Sequence, residues 1–175
     1  MKKTEKIIIC GASGSGKDHL LRGLIKKKLK YQPKLTTRPK RNLEKEGIDY
    51  NFINNESFSK LLESNEIKAY QHFLINGNDW YYAISKDNFE NNQVFIMTPH
   101  EIQTLSEGDR KKCFIVYLDI DESTRRNRIS KRNDNNDSIE RRIQSDNKDF
   151  ESFKDYDLKI TDPEFDANMV YELMN

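Results

Sequence analysis

Short apolar runs alternate along this chain with stretches whose apolar residues recur at helical spacing. KIIIC (6–10) is a continuous apolar run behind one lysine. A run of that length closed by glycine predicts a strand buried on both faces. Leu20, Leu21, Leu24, Ile25 and Leu29 follow on one helical face and predict a helix. QVFIM (93–97), CFIVYL (113–118) and YDLKI (156–160) are further β-rich runs. Helical patterns cover about 99–106, 121–132 and 164–174. Strands alternating with helices imply an α/β fold, a parallel sheet flanked by helices on both faces.

Residues 34–85 break this rhythm. Aromatics, turn signals and two-residue periodicity in DYNFI and WYYAI predict an inserted, partly antiparallel, mixed-β subdomain. KRNDNND (131–137) contains no apolar residue and is expected to be an exposed, mobile loop. No internal repeat interrupts the chain.

The bulk composition narrows the class. A length of 175 residues fits one domain with a sizeable core. Charged residues make up 34% and the net charge is only +1, whereas a generic nucleic-acid coat needs a stronger basic excess. No nucleic-acid partner is therefore expected. The N-terminal apolar run is too short for a signal peptide and no stretch is long enough to span a membrane, so a cytoplasmic location is expected. Cys10 and Cys113 sit in or beside apolar runs without metal-ligand spacing, and read as small buried hydrophobes in a reducing compartment.

The chemistry starts where KIIIC ends. Gly11-Ala12-Ser13-Gly14-Ser15-Gly16-Lys17 matches G-x-x-x-x-G-K. Between a strand and a helix, such glycines let successive backbone N–H groups turn inward on phosphates. The helix N-terminus adds partial positive charge, and the lysine reaches the β/γ-phosphates. ATP is the implied ligand. Asp18 follows, where serine or threonine usually places a hydroxyl on Mg²⁺. Its carboxylate reads either as a metal ligand, Mg²⁺ being a hard cation that takes oxygen, or as a first-turn residue favoured by the helix dipole.

TTRPKRNLEKEGIDYNFI (36–53) resembles the acceptor-binding signature of guanylate kinases. YYAIS (81–85), the 118–143 segment and KITDPEFDAN resemble that family's acceptor, lid and last-strand segments, in order, over almost the whole chain. The resemblance implies a P-loop kinase fold, with core segments at about 1–33, 86–121 and 145–175, an acceptor-binding subdomain at 34–85 and a helical lid at 122–144. It implies ATP-dependent phosphorylation of a nucleoside monophosphate with Mg²⁺, by a monomer or homodimer. Arg38, Arg41, Tyr50 and Tyr82 match the residues that hold the acceptor phosphate, and Arg128, Arg132 and Arg142 match the lid arginines. Arginine forks and tyrosine hydroxyls suit a phosphate on physical grounds as well. Arg125, Arg128 and Arg132 lie at i, i+3 and i+7 and are expected on one basic helix face, with Arg126 and Arg141 on the surface.

The base-reading residues depart from the family. Its guanine-reading Glu corresponds to Ala69, a base-touching serine to Lys34 or Leu35, and its D-x-D to MTPHE (97–101). Ala83 replaces the glycine of Y-Y-G, and NGNDWYY is two residues longer than usual. Glu66, His72, Asp79, His100 and Glu101 are polar groups in the right segments without an assigned role. A site that lost its carboxylate is expected to read a different or relaxed base: a pyrimidine deoxynucleotide, a modified nucleotide, or dGMP through other residues. Two other activities fit the pattern. GSGKD also resembles the loop of ribose 1,5-bisphosphate phosphokinases, and scaffold proteins reuse this fold as a non-catalytic binding module.

Overall fold

The computed structural model describes residues 5–131 and 138–173. Arg132 and the rest of the Asn/Asp-rich stretch through 137 lie outside the described residues. The chain opens with β1 (Lys6–Gly11) and α1 (Lys17–Lys26). It continues through β2 (Leu35–Thr36), β3 (Asn51–Phe52), α2 (Asn55–Glu63), β4 (Ile67–Ile75), β5 (Asn78–Ser85) and α3 (Lys86–Asn91). β6 (Val94–Ile96), α4 (Pro99–Gln103), α5 (Glu107–Lys112) and β7 (Cys113–Leu118) come next. α6 (Glu122–Ser130), α7 (Ile139–Phe150), β8 (Leu158–Ile160) and α8 (Ala167–Leu173) complete it.

One sheet is parallel, in the order β6-β1-β7-β8. Alternate residues of β1 enter two different cores. Ile7 and Ile9 pack with Leu20, Leu24, Ala167 and Val170 of α1 and α8. Ile8 and Cys10 pack on the other side with Phe89, Ile102 and Phe153. Burial on both faces is why KIIIC reads as a continuous apolar run and not as an alternation. α1 and α8 approach very closely at Gly23, where a Cβ would stand 2.3 Å from the Ala167 Cβ.

The second sheet, β3-β2-β5-β4, is mixed: β2 and β3 are parallel and the other pairs antiparallel. Its outer face packs on α2, with Phe58 stacked on Tyr81 at 4.2 Å between centroids. The sequence reading of this region missed α2. Phe58 is its one buried residue, so the apolar stripe is weak, and its start is set by Asn54, which accepts from the Ser57 N–H at 2.8 Å. The single helix expected over 99–106 is two short ones. Thr98 and Glu101 form a capping box that starts α4, and Ser106 accepts from the Asp109 N–H at 3.1 Å to start α5. α7 runs unbroken past residue 144 to Phe150.

Gly23→Val is expected to lower the unfolding free energy by about 1–3 kcal/mol through overpacking, since the facing Ala167 has no room to yield. Urea denaturation checks this, and an unchanged midpoint would contradict the close approach of α1 and α8.

Candidate active site

A cleft of about 730 Å³ runs from the loop after β1 to the inner face of the second sheet, and Lys17, Arg38, Tyr50, Gln71, Tyr82 and Arg142 all line it. The loop is built as its glycines require. Gly16 has φ 100°, a left-handed conformation that costs a side chain strain, and it stands at the N-cap of α1 with no side-chain hydrogen bond. The first-turn N–H groups therefore have no side-chain cap. Gly11, Ser13, Gly14, Gly16, Lys17 and Asp18 line the cleft. Ala12 instead faces a separate hollow beside Tyr117 and Arg125, and Ser15 is fully buried, its Oγ without a hydrogen-bond partner.

Side chains already bond the loop. Lys17 Nζ donates to the carbonyls of Gly11 at 2.7 Å and Ala12 at 3.0 Å. Asp146, on α7, accepts the Ser13 N–H at 2.8 Å, so a carboxylate sits on a donor of the phosphate loop. Sequence reasoning missed Asp146, because nothing local links residues 133 positions apart.

The arginines of α6 do not share an outward face. Arg125 is buried and its Nε donates to the Ile120 carbonyl at 3.0 Å. Arg128 clamps the loop from outside, donating to the carbonyls of Gly14 at 3.2 Å and Pro163 at 2.7 Å. Arg126 bridges Glu122 and Glu140. Arg141 and Arg142, on α7, reach the cleft. Arg132 lies outside the described residues.

Across the cleft, Arg38 anchors the opposite wall although it is only 2% exposed. Its Nε donates to the Tyr82 hydroxyl at 3.1 Å, and its Nη1 and Nη2 donate to Glu44 at 3.0 and 2.6 Å. Glu44 also accepts the Arg41 N–H at 2.8 Å. The Arg38 guanidinium lies 5.3 Å from the Tyr50 ring, and Tyr50 meets Tyr82 edge-on at 5.7 Å. Burial raises the Glu44 carboxyl, but the Arg38 hydrogen bond and charge outweigh it and hold it below its ordinary value. Burial pushes the Tyr50 and Tyr82 phenols upward, so both remain protonated donors at neutral pH. The cluster thus offers fixed cationic forks and neutral hydroxyls, the donor set that suits a phosphate monoester.

Alternate residues of β4 form the rest of this wall. Gln71, Phe73 and Ile75 line the cleft, opposite Tyr82, Trp80 and Asn78 of β5. Thr98 Oγ1 donates to Gln71 Oε1 at 3.1 Å. Lys34, which also lines the cleft, spans with its Nζ both oxygens of Glu101, at 2.5 and 2.6 Å, with Glu101 0% exposed.

A guanylate kinase family model matches residues 3–173. The chain belongs to the guanylate kinase family. It is 30% identical to the guanylate kinase of Mycoplasma pneumoniae over 173 residues, which covers 93% of this chain and 71% of that protein. Identity to the guanylate kinase of Mycoplasma capricolum is 42% over 79 residues, spanning 43% of this chain and 27% of the relative. The crystal structure of guanylate kinase from Anaplasma phagocytophilum superposes with a TM-score of 0.67 at 20% identity, over 99% of this chain and 86% of that one. That structure supports the P-loop kinase fold.

The guanylate kinase departures take a physical form here. Ala69 is 3% exposed, stands opposite Ile84 of β5 in the sheet and does not line the cleft. Two residues on, along the same face, Gln71 does. Lys34 is tied up by Glu101. Glu66, His72, Asp79 and His100 stay off the cleft, and His72 and Asp79 pair with each other at 2.7 Å. The signal that would have found Gln71 is the two-residue alternation Gln71-Phe73-Ile75.

Glu44→Gln leaves the Arg38 guanidinium, 1% exposed, without a carboxylate partner, and is expected to cost about 3 kcal/mol of stability at pH 7. Glu44 is depressed below its ordinary 4.5, so its stabilisation is present above 4.5 and lost as pH falls through the lower folded value. Urea titrations across pH check both points. The variant should lack this part of the acid dependence, and coincident stability curves for the two proteins would refute the role.

Proposed function

We propose that the chain transfers the γ-phosphoryl group of ATP to the phosphate of a nucleoside monophosphate, giving the diphosphate and ADP. The acceptor is of the GMP or dGMP type or another deoxynucleoside monophosphate. The observation that carries this reading is one continuous cleft joining the Lys17 loop to the Arg38–Tyr50–Tyr82 cluster, with Arg142 of α7 lining the same cleft. A donor triphosphate and an acceptor monophosphate need such an arrangement to meet in line.

In the reaction an acceptor phosphate oxygen attacks the γ-phosphorus, and the bond to the β-phosphate oxygen breaks. The nucleophile is already anionic, so no protein base is needed, and the protein contributes positioning and charge stabilisation. Lys17 and the α1 N-terminus hold the donor. Arg38, Arg41, Tyr50 and Tyr82 hold the acceptor phosphate. Arg142 faces the developing charge, while Arg128, bonded to the Gly14 carbonyl, braces the loop. Arg132 is carried in the same proposal as a lid arginine.

The loop residues suit ATP: left-handed glycines and uncapped first-turn amides form a cradle that side chains would fill. For Mg²⁺, among the described residues no three His, Cys, Asp or Glu side chains gather as a metal cluster, and Asp18 is the carboxylate that the phosphate-loop sequence itself brings to the cleft. That suits a hard cation held by one carboxylate, phosphate oxygens and water. Mg²⁺ would supply neutralisation of the phosphate charge.

An ADP-release assay with ATP, Mg²⁺ and each common nucleoside monophosphate, with ribose 1,5-bisphosphate as a further acceptor, tests the reading. Turnover with a monophosphate is expected. Turnover with the sugar bisphosphate alone would move the activity to that substrate, and ATP binding without any turnover would favour a binding module. Lys17→Ala should lower kcat by about 10²–10³-fold, the scale of losing one preorganised donor to the transition state. Asp18→Ala should weaken the Mg²⁺ dependence more than Asp18→Ser, whose hydroxyl can still take the metal. Equal losses in the two variants would remove Asp18 from the metal site.

A further inference from the structure

We propose that Gln71 and Thr98 contact the base of the acceptor, and that this uncharged pair makes the site permissive towards the base. The inference rests on the acceptor being a nucleotide. Gln71 is the direct cross-strand partner of Tyr82, whose hydroxyl receives Arg38 Nε at 3.1 Å. Gln71 therefore stands one strand from the phosphate-holding cluster, on the same cleft face. Thr98, where β6 passes into α4, lines the cleft beside it.

The nearby carboxylate is withheld from the cleft. Glu101 is 0% exposed, both its oxygens receive Lys34, and Oε2 also accepts the Thr98 N–H at 2.7 Å. No lone pair of Glu101 is presented to a ligand. Lys34 also lines the cleft, but its ammonium is held on both Glu101 oxygens, and the neutral polar groups of this part of the wall are the Gln71 amide and the Thr98 hydroxyl.

That pair is reversible. The Thr98 hydroxyl accepts the Glu101 N–H at 3.2 Å and donates to Gln71 Oε1 at 3.1 Å, which leaves it one lone pair. Gln71 Nε2 makes only a long contact, 3.4 Å to the His72 carbonyl, and keeps donor capacity for a ligand. Turning the amide over lets Nε2 donate to the remaining Thr98 lone pair. The hydroxyl proton and Gln71 Oε1 then face outward. The number of internal bonds in the pair is the same in both states. Each presents one donor beside one acceptor, in opposite order.

Bases divide along that line. Guanine, hypoxanthine, uracil and thymine show a carbonyl beside an N–H. Adenine and cytosine show an amino group beside a ring nitrogen. The pair meets either edge by inverting. It holds no second acceptor for the guanine 2-amino group, so GMP gains nothing over IMP. Rejection by a dedicated polar site reaches about 10⁴–10⁵-fold because buried partners are left unpaired, and a pair that re-forms its bonds with the wrong base escapes that penalty.

The single tryptophan of the chain, Trp80, lines the same cleft and reports acceptor binding by its fluorescence without ATP. Titration with GMP, IMP, AMP and UMP should give dissociation constants within about tenfold of one another, with GMP and IMP within about threefold. Gln71→Glu puts a carboxylate acceptor on the wall and should raise the GMP preference over both IMP and AMP by more than about tenfold. Gln71→Ala should weaken all four by a similar factor, with circular dichroism showing the fold retained. A wild-type preference for GMP above about 100-fold, a Gln71→Glu ratio unchanged within about twofold, or no binding of any monophosphate would each overturn the proposal. Permissive binding without turnover would support it while removing the proposed phosphoryl transfer.

Discussion

A fully buried carboxylate at the junction of the two sheets, held by a half-buried lysine, shapes this site. Lys34 enters the second sheet at β2, and Glu101 belongs to α4 behind the parallel sheet, 67 residues away. The Glu101 carboxylate is not tolerable there alone, since an unpaired buried charge costs several kcal/mol. Their pairing fixes how the second sheet meets the first. Glu101 also closes the capping box with Thr98, so the same ion pair orients the threonine that reaches across to Gln71. The cleft lies along this seam, and its wall inherits the geometry of the pair.

The loop side depends on a different constraint. β1 is buried on both faces and ends at Gly11, where a Cβ would come within 2.6 Å of Ser15 Oγ and 2.9 Å of the Leu118 carbonyl. The strand thereby delivers the chain into a turn that admits little but glycine. Arg128 and Asp146 grip this turn from two later helices, one at a carbonyl and one at an N–H. Segments remote in sequence thus complete a loop whose shape is local.

What the sequence made legible follows from the range of the forces involved. KIIIC and the G-x-x-x-x-G-K turn are local patterns, and both stand where they were read. Arg38, Arg41, Tyr50 and Tyr82 share one wall because the spacing within TTRPKR and YYAIS survives folding into β2, β5 and the loop between β2 and β3. The pairs that define the wall chemically are non-local: Lys34 with Glu101, Gln71 with Thr98, Ser13 with Asp146. No window of sequence contains both members of such a pair. Arg125 shows the same limit. Its helical spacing put it on an outward basic face, yet the Ile120 carbonyl needed a donor and the side chain turned in. The register shift between Ile67 and Ala69 is another case, because a bulge changes which residues face the cleft without altering composition.

The raised phenols of Tyr50 and Tyr82 and the buried guanidinium of Arg38 have a consequence for any ligand they hold. None of these groups gains or loses a proton near neutrality. The electrostatic potential of this wall is therefore constant across the physiological range. A phosphate monoester, with a second ionisation near pH 6, is then the only titrating member of the encounter. Recognition at this wall follows the dianion fraction of the visitor, and the protein acts there as a fixed-charge receptor.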